Sequence, residues 1–107
     1  MVVKGANLMK YVWTWGGKFF GYISNGYLFT QNGKCVGILQ GTDIYDRHGK
    51  YIGELMNDDR LITYTSKKGF YGPAAPNIIG SACTSYADYV GYVMYAGYED
   101  FPGPEEF

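Results

Sequence analysis

The sequence predicts a mainly β fold, in which β-hairpins repeat with a 16-residue period in a pseudo-four-fold arrangement and are followed by a C-terminal segment that is helical. Three observations carry this prediction. A Gly-Lys-x-x-Gly motif recurs as GKFFG at Gly17, GKCVG at Gly33 and GKYIG at Gly49. Aromatic residues make up 19% of the chain and 16 of its 107 residues are glycine, a pairing that favours strands broken by tight turns. Beyond a Pro-rich stretch at 73–77, the apolar residues change to a spacing of three and four.

The three units read YVWTWGGKFFGYISNG, YLFTQNGKCVGILQGT and DIYDRHGKYIGELMND. In each, two β-rich runs flank Gly16-Gly17, Asn32-Gly33 or His48-Gly49, which predicts antiparallel hairpins over 11–23, 27–39 and 43–55 joined by two-residue type I′ turns with positive φ. The second glycine of each motif, Gly21, Gly37 or Gly53, falls inside the returning strand, where glycine marks a bulge or a close backbone approach. A degenerate fourth unit, RLITYTSKKGFYG, follows with Ser66-Lys67 in place of Gly-Lys.

Aligning the units separates framework from variable positions. Val12, Leu28, Ile44 and Leu61 form one apolar column. Trp13, Phe29, Tyr45 and Ile62 form a second, Phe20, Val36 and Ile52 a third, and Ile23, Leu39 and Leu55 a fourth. These are the expected core. The column of Trp15, Gln31, Arg47 and Tyr64 shares little chemistry and is the natural place for function.

From Ile78 the apolar positions Ile79, Ala82, Cys83, Tyr86, Tyr89, Val90, Val93 and Met94 suit one face of a helix, with Asn77 as N-cap and Gly97 as stop. Strand is the competing assignment, because YVGYVMY is dense in β-formers and Gly91 weakens a helix. The organisation expected is one domain over 1–107: hairpin repeats at 10–72, the Pro-rich connection at 73–77, a Tyr-rich segment at 78–98 and a tail at 99–107.

Nine basic and ten acidic residues give a net charge of −1, without the positive surplus that nucleic-acid or anionic-membrane binding needs. The first residues lack the charged start, apolar run and cleavage site of a secretory signal, which predicts a cytoplasmic protein. Polar residues interrupt 78–98, so no membrane span is expected. The two cysteines suit buried thiols in a reducing compartment and leave a Cys35–Cys83 bridge open.

YLFTQNGKCVGIL and DIYDRHGKYIGEL, with WTWGGKFFGYI before them, resemble the repeated hairpins of the bacterial 4-fold β-flower domain over about residues 10–70. That resemblance implies a fold and supplies no activity and no site. YDRHGKYIGEL alone is similar to a PRC-barrel strand pair, a fold that leaves the 16-residue recurrence unexplained.

Cys35 shares a column with Phe19 and Tyr51, which makes it a packing residue rather than a nucleophile. Lys18, Lys34 and Lys50 follow the turns without the Ser or Thr and the glycine-rich span of a phosphate loop. His48 shares its column with Gly16 and Asn32 and belongs at a turn tip. No spacing of His48, the cysteines and carboxylates such as Asp58 and Asp59 suits a metal, and no cofactor is expected.

The leading expectation is therefore a non-enzymatic binding or assembly module. Its candidate residues are Trp15, Gln31, Arg47 and Tyr64, which a ring of hairpins would present at one end to a small ligand or peptide, together with Tyr92 and Tyr95 of the Tyr-rich face. The predicted partner is a second copy, in a homodimer. The alternative is a small hydrolase or transferase using His48 with Asp46 or Cys35.

Overall fold

A computed structural model of the chain describes residues 9–107. Strands β1 (Lys10–Thr14), β2 (Phe19–Ser24), β3 (Tyr27–Thr30), β4 (Cys35–Gln40), β5 (Asp43–Tyr45), β6 (Tyr51–Met56) and β7 (Arg60–Tyr64) follow one another as antiparallel neighbours. An up-and-down sheet with an odd number of strands can close only by a parallel pair. Here β7 pairs with β1 in parallel through Trp13↔Arg60 and Thr14↔Leu61. Closure leaves few strand edges open to unwanted pairing. A short strand, β8 (Tyr98–Asp100), then runs antiparallel to β7. Leu61 pairs with Leu55 and Thr14, and Ile62 with Glu54 and Asp100, so β1 and β8 share one edge of β7.

The three repeats are hairpins β1–β2, β3–β4 and β5–β6, and Gly17, Gly33 and Gly49 have φ of 99°, 89° and 78°. Their loops differ from the two-residue turns expected. Gly17, Gly33 and Gly49 donate to the carbonyls of Thr14, Thr30 and Asp46, and the residue before each glycine keeps negative φ. Each loop is thus a tight turn followed by one left-handed glycine, the three-residue arrangement. The side-chain oxygens of Thr14, Thr30 and Asp46 accept from the backbone N–H of Lys18, Lys34 and Lys50. A positive-φ Asn-Gly pair does occur, at Asn25-Gly26 on the opposite end between β2 and β3.

A bulge recurs as well. Val12, Leu28 and Ile44 face Gly21, Gly37 and Gly53, whereas the next residues face Phe19, Cys35 and Tyr51, leaving Phe20, Val36 and Ile52 as the extra residues. The glycine beside each bulge allows close packing. A Cβ at Gly37 would come within 2.7 Å of Ile44 Cγ2, and one at Gly53 within 2.5 Å of the Phe101 ring.

Period-two alternation gives the sheet two buried faces. Val12, Phe20, Leu28, Val36, Ile44 and Leu61 fill the barrel together with Phe101. Trp13, Phe29, Tyr45, Phe19, Cys35 and Tyr51 are also buried, but they point outward. What covers them is the segment after β7.

No helix forms over 78–98, which corrects the helical assignment. After a 3-10 turn at Thr65–Lys67, the chain runs as an extended belt past the repeat loops in reverse order. Gly72 and Ala75 donate to Gly49 and Asp46, Gly80 and Cys83 to Gly33 and Gln31, and Tyr89 and Tyr92 to Gly17 and Trp15. The donors in each pair lie three residues apart. Gly80 and Gly91 make this route possible, since a Cβ on Gly80 would strike Tyr22 and Phe29 and one on Gly91 would meet the Gly16 carbonyl at 2.6 Å. A helix would bond these N–H groups to itself and leave the loop carbonyls and the outer aromatic face uncovered.

The belt ends in β8, so the fourth unit also departs from expectation: its return strand comes from Tyr98–Asp100 instead of the residues just after Lys67. Thr65 N–H donates to Gly97 O where the first three units bond Thr14, Thr30 and Asp46 to Lys18, Lys34 and Lys50. Residues 101–107 fold over the barrel end. Phe101 and Phe107 contact Phe20, with ring centroids 5.4 and 5.6 Å away. Among the described residues no helix is long and apolar enough to cross a membrane.

Candidate functional site

The repeat places chemistry at one end of the barrel. The loops of its three hairpins all lie there, each followed by an exposed lysine and, two residues later, by the bulge residue that turns inward. Residues 101–107 fill the middle of this mouth and leave three grooves between units. Phe20, Gln31, Lys34 and Phe107 line one of about 350 Å³. Lys34, Val36, Asp46, Arg47, His48 and Phe107 line a second of about 160 Å³. Lys50, Ile52, Thr63 and Pro102 are among the residues of a third, about 220 Å³. Each groove has a bulge residue and a repeat lysine in its wall.

The second surface is the outside of the belt. Where it crosses β1, its tyrosines lie on the outward aromatic residues: Tyr86 on Tyr11 at 4.7 Å, Tyr89 on Trp13 at 3.9 Å, and Tyr92 and Tyr95 on Trp15 at 4.8 and 5.4 Å. Trp13 and Trp15 donate their indole N–H groups to the Ala87 and Val93 carbonyls. Beneath the belt Arg60 is buried, donating to the Trp15 and Val90 carbonyls with its guanidinium 4.2 Å from the Tyr92 ring centre. Its Nε makes no hydrogen bond among the described residues and lies 3.9 Å from Asp59 Oδ1. Between these anchors the side chains of Val90 and Val93 point to solvent.

The comparisons with known proteins agree with this architecture. A family model, 4-fold beta flower protein, matches residues 2–81. The chain belongs to that family. No curated protein and no solved structure matches it. The β-flower match spans the three hairpins, β7 and the first part of the belt; it carries the fold and assigns no activity.

Within this β-flower chain the variable column is split. Gln31 and Arg47 line adjoining grooves at the mouth, Tyr64 stacks on Tyr98 at 4.8 Å, and Trp15 is 1% exposed beneath Tyr92 and Tyr95. The repeat alignment puts Trp15 at a variable position open to a ligand; the belt, which that alignment does not contain, buries it. Tyr92 and Tyr95 are half exposed, with one side of each on Trp15.

His48 is exposed at its loop, and its backbone N–H donates to Asp46 Oδ1 at 2.8 Å. The same Asp46 oxygen takes the Lys50 N–H at 3.0 Å, so it serves the turn. Cys35 is buried in the outer layer and burial pushes its thiol pKa up; Cys83 is shifted the same way for the same reason. Both thiols are free. Among the described residues no group of three or more His, Cys, Asp or Glu is placed to hold a metal ion.

Two features escaped sequence reasoning. The column of Thr14, Thr30 and Asp46 was legible as the first residue of each turn, where Thr and Asp accept from following backbone N–H groups. Arg60 carried no local signal, because its partners lie on β1 and on the belt.

Proposed function

We propose that this protein is a non-enzymatic assembly module that pairs with a second copy through the outer face of its belt. One observation carries the reading: Val90 and Val93 are 87% and 86% exposed, set among tyrosines that are already half exposed. From Tyr89 to Tyr95 no charged residue interrupts this surface. Contiguous apolar area of this kind marks contact surfaces, and tyrosine supplies contact area at low entropic cost. A patch that meets its own copy closes with two-fold symmetry, the commonest arrangement of soluble oligomers.

Val90 and Val93 alternate with the tyrosines that hold the belt, so they separate assembly from folding. Sedimentation at micromolar concentration is expected to give a dimer for the native chain and a folded monomer, with its β-sheet circular dichroism retained, for Val90→Glu with Val93→Glu. A native chain that is monomeric under those conditions overturns the reading.

A further inference from the structure

The three repeat lysines share one backbone setting, yet they are not equally satisfied. Lys18 Nζ lies 3.0 Å from Glu105 Oε1, a contact that holds the Glu105 carboxyl below its usual range. Two residues on, Phe107 stands edge-on to Phe20. This stretch of chain therefore offers a carboxylate to the lysine of the first unit and an aromatic ring to its bulge residue.

One unit further round the barrel, Lys34 and Val36 occupy the equivalent positions and line the 160 Å³ groove with Arg47 and Phe107. Among the described residues neither Lys34 nor Arg47 forms an ion pair. The carboxylate in that wall, Asp46, has its Oδ1 taken by two backbone N–H groups. Among its lining side chains the groove thus holds two cations, Lys34 and Arg47, and one carboxylate, Asp46, beside Val36 and Phe107. It adjoins the 350 Å³ groove, since Lys34 and Phe107 line both.

We propose that the groove between Lys34 and Arg47 binds a small organic carboxylate with an aromatic or aliphatic body. The carboxylate sits between the two cations, and the body lies against Phe107 and the edge of Val36. The first unit supplies the precedent within the chain, where Glu105 and Phe107 already make this pair of contacts with Lys18 and Phe20. The site lies away from Val90 and Val93, so loss of dimerisation through them leaves it intact.

Titration with 3-phenylpropionate, followed by calorimetry and by amide NMR shifts, tests the assignment. Saturable binding at millimolar ligand is expected, with shifts centred on Lys34, Val36 and Arg47. The neutral 3-phenylpropionamide should bind about tenfold more weakly, because charge-assisted hydrogen bonds are lost. Lys34→Gln should weaken binding of the acid by about tenfold, whereas Lys50→Gln, an equal change of charge outside this groove, should leave it unchanged. Equal binding of acid and amide, equal effects of the two lysine changes, equal binding of inorganic phosphate, or no saturation overturns the proposal.

Discussion

Tyr89 lies face to face with Trp13, the ring centroids 3.9 Å apart and the planes 16° from parallel. Trp13 belongs to the repeat and Tyr89 to the belt, so this stack joins the two parts of the molecule. Stacked aromatic pairs contribute about 0.5–1.5 kcal/mol beyond the area they bury. Tyr89→Ala should lower stability by about 1–3 kcal/mol in urea unfolding and shift tryptophan emission to the red as Trp13 meets water. Unchanged emission would mean that the belt does not lie on Trp13 in solution.

Gly33 and Gly26 separate turn strain from belt contact. Both have positive φ, 89° and 82°, but a Cβ at Gly33 would come within 2.9 Å of the Gly80 carbonyl carbon, whereas one at Gly26 meets nothing within 4 Å. Gly26→Ala should cost about 1–2 kcal/mol from backbone strain alone. Gly33→Ala should cost more and speed amide exchange at Gly80 and Cys83. Equal melting temperatures for the two variants would contradict the belt's path over the second loop.

Cys35→Val should be tolerated, at under about 1.5 kcal/mol, because valine suits a buried strand position of that size. The native thiol should react with iodoacetamide more slowly at neutral pH than a model thiol, since burial both shields it and raises its pKa. Rapid labelling without unfolding would refute the packing role.

Acid should loosen residues 101–107. The Lys18 ammonium lowers the Glu105 pKa, so the folded state favours ionised Glu105. Its contribution is present above the ordinary carboxylate pKa and is lost as pH falls through the lowered folded value. An NMR titration should show Glu105 protonating below the usual range, with the Phe107 ring signals moving in step. Lys18→Gln should return Glu105 toward its ordinary value, and a titration indifferent to that change would exclude the bridge.

The hairpins were legible because their signals are local: a glycine that accepts positive φ, a lysine after it, and β-rich runs on either side. The belt was hidden for a geometric reason. Tyr86, Tyr89, Tyr92, Tyr95 and Tyr98 recur every three residues, which is the repeat of an extended polyproline-type chain, whereas a helix needs 3.6. Mixed with Ile78, Val90 and Met94, that period passes for an amphipathic helix. The burial of Trp15 was beyond reach for the same reason, since its cover is not part of the repeat. At the mouth, Gln31 and Arg47 stood out as variable, but Lys34 looked like an ordinary solvated residue after a turn; only the Lys18–Glu105 contact sets it apart.

The distant origin of β8 has a kinetic implication. Each hairpin loop closes over a few residues, but Tyr64 and Tyr98 meet only after a separation of about 34 residues, roughly three doublings of loop length and about 2 kcal/mol of extra closure entropy. The local hairpins are therefore expected to organise first and the β7–β8 pair to join late, slowing the final step of folding. In reverse, the belt bonds to all three loops and must peel from them before the hairpins can separate, which makes its detachment the gate to unfolding. Long native lifetime would then depend on one extended segment more than on the strength of any single hairpin.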